Sequence, residues 1–222
     1  MKFLFSDYNL NIDLVENRIT SICIENPTTF SDIIFEIFSQ CQGRDGRIIL
    51  SEKEKSFDLS KVAHISLNPF SLDTGTRLIK SRLLSELKDV SGESYEKFVD
   101  LESHIFEYIE NVVSLLPYPI NYKSSLDASD VFKLCDTEID ISGDSLCERL
   151  CNYTKILSSL CGIRVLFLVD IHKYLSDEEF DALIETAFYN KIDLIEIDSI
   201  ERRYSYPANY YVIDADNCLI TY

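Results

Sequence analysis

The sequence predicts an α/β head whose sheet draws on both chain ends, with an α-helical leg inserted between them. Three observations predict it. Short apolar runs bounded by turn residues fill residues 1–72. From 73 to 161 the apolar residues recur at helical spacing. After Gly162 the short apolar runs return. The expected division is therefore 1–72 with 162–222 for the head, and 73–161 for the leg.

Residues 2–5, 12–14 and 18–24 read as strands, the last rich in β-branched side chains. The segment Glu25-Asn26-Pro27-Thr28 breaks the strand and supplies helix-starting residues. Phe30, Ile33, Ile34, Ile37 and Phe38 follow at helical spacing, with a stop expected near Gly43. Residues 47–51 and 62–67 read as two more strands, closed by Asn68-Pro69.

In the helical part, residues 94–116 place Phe98, Ile105 and Val112 seven apart, with Leu101, Tyr108 and Leu115 between them. That is a heptad seam, widened by Val99, Ile109 and Val113 to the stripe of a bundle helix. Pro117 and Pro119 end it. Shorter helices are expected over 126–134 and 144–161, the second stopped by Gly162. Val165–Val169 is an unbroken apolar run ending in Asp170, as in a buried parallel strand. Ser176 and Glu179 have the spacing of a capping box, opening a helix that runs to about Asn190. Residues 192–197 and 217–221 read as the last strands.

The chain of 222 residues is long enough to bury a real core. Its formal net charge of −17 argues against phosphate binding over the whole surface, so any nucleic-acid contact must be a local cluster of cations. Seven cysteines without a C-x-x-C pair read as reduced, mostly buried small hydrophobes. No run approaches the roughly 20 apolar residues of a membrane span, and the N-terminus lacks signal-peptide features. A cytoplasmic location is expected.

The strand, loop and helix near the start, with Asp170 at a strand end, have the order of a nucleotide hydrolase. The loop Glu25-Asn26-Pro27-Thr28-Thr29 does not. It has no glycine to curl round phosphate and no lysine for its charge, and Glu25 repels it. No nucleophile or metalloprotease motif occurs, and His64, His104 and His172 stand apart. Neither a nucleotide nor an enzymatic activity is expected.

Arg77, Lys80, Arg82 and Lys88 lie in a stretch whose apolar face is Ile79, Leu83, Leu87 and Val90. At about 100° per residue Arg77 and Lys88 fall close together on the opposite side. Such a face suits sequence-independent phosphate contact, with Lys123 and Lys133 as further candidates. Arg44, Arg47, Lys53 and Lys55 are secondary ones. The acids Asp127, Asp130, Asp136, Glu138 and Asp140 suit calcium by ligand type, although EF-hand spacing is absent.

Three stretches resemble the Csn-two family of CRISPR-associated proteins. They are Ile22-Cys23-Ile24-Glu25-Asn26-Pro27 with Phe30, then Asn68-Pro69-Phe70-Ser71-Leu72-Asp73, then the C-terminal quarter. The last holds Val165–Val169, Tyr174-Leu175-Ser176-Asp177-Glu178-Glu179 and residues 211–221. The resemblance implies a degenerate nucleotide-hydrolase-like head with a helical leg, and a homotetrameric ring around double-stranded DNA and its ends. It implies calcium at the legs, and work beside the CRISPR integrase complex and the effector nuclease in spacer acquisition. By this resemblance Arg77, Lys80, Arg82 and Lys88 sit on the first leg helix, and Asp127 and Asp130 stand nearest the calcium position. Lys123 occupies a loop richer in acids in similar proteins. A scaffold whose acidic surface recruits basic proteins, with little DNA affinity, is the alternative.

Overall fold

A computed structural model describes every residue except Glu54, Asp73 and Tyr222. Asp73 and Tyr222, bounds of the predicted domains, thus lie outside the described residues. The chain forms two compact units, one from Met1–Asp73 with Ile141–Tyr222 and the other from Thr74–Asp140.

The first unit contains two sheets. β1 (Lys2–Phe5), β2 (Leu10–Asp13), β4 (Ile48–Glu52) and β5 (Lys55–Phe57) form an antiparallel sheet in the order β2-β1-β4-β5. Its sequence alternation puts Phe3, Phe5, Leu10, Ile12 and Leu50 into the core. The second sheet runs β10-β9-β3-β8-β7-β6. Here β3 is Ile19–Ile24, β6 Ala63–Ser66, β7 Val165–Val169, β8 Asp193–Asp198, β9 Ala208–Ile213 and β10 Leu219–Thr221. All neighbours pair in parallel except β9 and β10. Strands from the two chain ends are therefore interleaved, as the sequence predicts. β3 and β7 are buried at every position, which explains the unbroken apolar run of β7, while β3 also buries Thr20 and Ser21.

The N-terminal helix α1 (Pro27–Cys41) packs Ile33 and Ile37 into one core cluster with both sheets. Gly43 ends that segment at a φ of +82°, where glycine carries no Cβ penalty. A four-residue helix α2 (Leu59–Val62) leads into β6. The helices α6 (Leu146–Ser159) and α7 (Asp177–Tyr189) pack on each other. α7 starts on the predicted capping box, Ser176 Oγ accepting from the Glu179 amide at 3.3 Å and Glu179 Oε2 from the Ser176 amide at 2.9 Å.

The second unit holds α3 (Arg77–Ser91), α4 (Tyr95–Val113) and α5 (Ala128–Leu134), with α5 against α3. α4 buries none of its residues within this chain.

The helix α6 falls with the sheets rather than with the inserted helices where the sequence pattern groups it. Its Cys147 thiol donates to the Glu179 carbonyl at 3.2 Å and its Ser158 hydroxyl to the Asn190 carbonyl at 2.8 Å, tying it to α7. Helical periodicity reports that a face is buried, not against what. The short β5 and the tyrosine-rich β9 are further elements without a clear sequence signal. None of the seven cysteines forms a disulfide, but Cys23, Cys147 and Cys161 alone are buried and Cys135 and Cys218 are exposed, against the expectation of mostly buried thiols. No helix among the described residues is long and apolar enough to cross a membrane.

Candidate nucleic-acid interface

α3 begins where Thr76 caps it, its hydroxyl accepting from the Ile79 amide at 3.4 Å. Ile79 turns inward, and Arg77, Arg82 and Lys88 are exposed. Arg77 and Lys88 are eleven residues apart, or about 16 Å along one helix line at 1.5 Å per residue.

The six predicted cations divide into two groups. Lys88 binds Asp127 at 2.5 Å, and Lys80 binds Glu138 at 3.0 Å. Lys123 and Lys133 share Asp130 at 3.5 and 3.2 Å. Arg77 and Arg82 form no ion pair with the described residues. The Lys88 ammonium and the Ser129 amide hold the Asp127 carboxyl far below the usual carboxylate range. The Asp127 amide, then Lys133, lower the carboxyl of Asp130. Both pairings are exposed, so salt screens them and competing phosphates can exchange with them.

The same contacts correct the calcium expectation. Asp127 and Asp130 form the capping box of α5 while engaging lysines, and Glu138 engages Lys80. Asp136 follows the helix in a left-handed turn, at a φ of 48°. Among the described residues no group of three or more His, Cys, Asp or Glu side chains converges to hold a metal. Calcium requires six to eight oxygens gathered at one point, and these four carboxylates do not fit it.

The glycine-free loop after β3 has its own occupants. Asn26 Oδ1 accepts from the Thr28 and Thr29 amides at 3.0 and 3.3 Å, the donors a phosphate would need. Asn26 Nδ2 donates to the Ala215 carbonyl, and Thr29 Oγ1 donates to Asn217 Oδ1. Glu25 Oε2 accepts from the Ala215 amide at 3.1 Å. The turn after β9 thus latches the start of α1. Asp170, at the end of β7, adopts a φ of 52° and pairs with Lys173.

One polar group escapes sequence reasoning. Glu196 and Asp198 lie in β8 and are 1% and 3% exposed. Their signal is a carboxylate at alternate positions of an isoleucine-rich strand, where a solvated face is the usual reading.

Known proteins place the chain. The family model described as CRISPR-associated protein (Cas_Csn2) matches residues 40–217. Among 23 solved chains that match is the crystal structure of Stu0660 of Streptococcus thermophilus, with a TM-score of 0.56 and 16% identity. That alignment covers 96% of this chain and 75% of the other. No curated protein matches. The shared fold and a family match over most of the chain converge: it belongs to the Csn-two family of CRISPR-associated proteins.

Proposed function

We propose that this protein binds double-stranded DNA, its ends included, without sequence preference, as a cytoplasmic homotetrameric ring that assists CRISPR spacer acquisition. Family membership supports the CRISPR role. The observation that carries the DNA reading is on α3, where Arg77 and Arg82, about 140° apart round the helix, stand exposed with no acid partner among the described residues. A guanidinium can grip phosphate through two parallel hydrogen bonds and reads no base in doing so. Lys80, Lys88, Lys123 and Lys133 join only by leaving their carboxylates, so their contribution is smaller. The uncovered stripe of α4 supports assembly, because four copies can bury what one exposes. The self-capped start of α1 supports a role without nucleotide or catalysis. The integrase complex and the effector nuclease are the expected partners.

A gel-shift series with linear and closed-circular duplex at several salt concentrations tests this. Linear duplex is expected to bind and closed circles to bind weakly. Arg77→Glu with Arg82→Glu should weaken binding alike for every sequence and flatten the salt slope. Equal affinity for both DNA forms removes end loading. No binding at low salt removes DNA altogether.

The second reading is an acidic scaffold for basic proteins. Its supporting observation is that four of the six predicted cations are ion-paired internally, to three carboxylates, in a chain of net charge −17. It predicts association with the integrase complex or effector nuclease that survives nuclease treatment.

A further inference from the structure

Across one face of the large sheet, Ser21 of β3 lies opposite Glu196 of β8 and Tyr210 of β9. Residues 199–207 form an irregular strap between β8 and β9. Glu196 Oε2 accepts from the Ser21 and Tyr204 hydroxyls, each at 2.9 Å. Its other oxygen, Oε1, is buried and has no hydrogen-bond partner among the described residues. Tyr204 gives its proton to Glu196, so the His172 Nε2–H donates to the Tyr204 oxygen at 3.3 Å. The rings stack in a column, His172 on Tyr204 at 5.5 Å and Tyr204 on Tyr210 at 6.1 Å.

We propose that residues 199–207 are a proton-controlled strap, latched over the sheet by the His172–Tyr204–Glu196 relay and loosened when Glu196 ionises. A neutral carboxyl costs less in this buried site, leaving one unpaired O–H at Oε1. An ionised one leaves a bare oxygen out of water, a penalty relieved by lifting the strap. Burial raises the Glu196 carboxyl from its ordinary value of 4.5 to about 7, against the lowering effect of its two hydroxyl donors.

The surrounding charges do not supply the missing partner. On β8 itself, Asp198 sits at 3.5 Å from Arg202 of the strap, so their effects on Glu196 oppose each other. From β3, the Cys23 thiol is pushed up to about 11 and stays neutral. In the turn after β7, Asp170 and Lys173 pair with each other, and burial keeps His172 below its ordinary value, hence uncharged at neutral pH. α7 contributes Asp177 near His172 and Glu185, which accepts from Tyr206. Glu201 and Arg203 of the strap pair, and Arg203 lies over the Tyr210 ring at 4.4 Å.

The strap is also held where the Ile19 amide donates to the Pro207 carbonyl at 3.1 Å, and where the Tyr204 and Tyr206 rings lie 5.6 and 6.2 Å from those of Phe180 and Phe188. The Ser199 and Ile200 amides donate to Asp198 Oδ1 at 2.7 and 3.2 Å, and the Tyr204 amide donates to the Tyr210 hydroxyl at 3.0 Å. These amides report its opening. If lifting returns Glu196 to its ordinary acidity, the open fraction rises roughly tenfold between pH 6 and pH 8.

Hydrogen exchange on the full chain, corrected for intrinsic rates, tests this. Protection of the Ile200 and Tyr204 amides should fall roughly tenfold from pH 6 to pH 8, while β3 amides hold. Glu196→Gln, which has no proton to lose, should stay protected at both values. Tyr204→Phe, whose ring stack remains, should already be poorly protected at pH 6. Wild-type protection independent of pH overturns the proposal. So does an unchanged pH dependence in Glu196→Gln, or wild-type protection at pH 6 in Tyr204→Phe, which also decides the matter if the glutamine variant does not fold.

Discussion

His64 and Glu196 are buried ionisable groups with opposite consequences for stability. Burial lowers the His64 imidazole to about 4, with the Tyr153 hydroxyl 3.5 Å from its Nε2. A lowered histidine stabilises the fold above its unfolded value near 6.5, an effect lost as pH falls through 4. Glu196 is raised, so its contribution is complete below pH 4.5 and is lost as pH rises through 7. The shift corresponds to about 3 kcal/mol. Urea unfolding across pH should show wild type losing about that much relative to Glu196→Gln between pH 4.5 and pH 8. Parallel curves for the two proteins would contradict it. Glu196 itself was not legible as a site, because only Ser21 and Tyr204, distant in sequence, turn a strand carboxylate into a buried relay.

Among elements, α4 carries the clearest demand for something outside this chain. Its heptad residues Phe98 and Ile105 are half-buried, while Tyr108 is 70% exposed and Leu115, just beyond the helix, 83%. The stripe was legible from spacing alone, since periodicity follows from 3.6 residues per turn. What covers it was not, because a single sequence carries no record of surfaces outside the chain. In the proposed tetramer, Tyr108→Asp with Val112→Asp places charge on that stripe and should shift the mass by light scattering toward dimer or monomer. An unchanged mass would move the assembly contact to another surface. α6 teaches the same lesson within the chain. Its apolar face was visible in sequence, but only Cys147 and Ser158 meeting α7 assign it to the sheet unit.

At the scale of the whole molecule, charge limits what the protein can do. In the proposed DNA complex, a net charge of −17 leaves only a few cations to work against a repulsive background, so affinity should fall with salt by a slope of about one per phosphate contacted. Of the carboxylates matched to calcium, Asp127, Asp130 and Glu138 serve as lysine partners, and the first two also cap α5. Chelator and added calcium should therefore leave both the mass and the DNA affinity unchanged. A shift of either one with calcium would show that these acids leave their lysines and regroup around the ion.

The sequence by itself determined the strands of the large sheet that run as apolar blocks, the capped starts of α1 and α7, and a phosphate loop without glycine or lysine. These are local properties, decided by side chains within a turn or two of one another. Tertiary structure decided which lysines are neutralised, that four acids do not meet, and that Glu196 lies out of water. Each depends on residues brought together from distant parts of the chain, such as Lys88 with Asp127 or Ser21 with Glu196. Pairing and desolvation act through space, so a single sequence shows the groups and not their encounters.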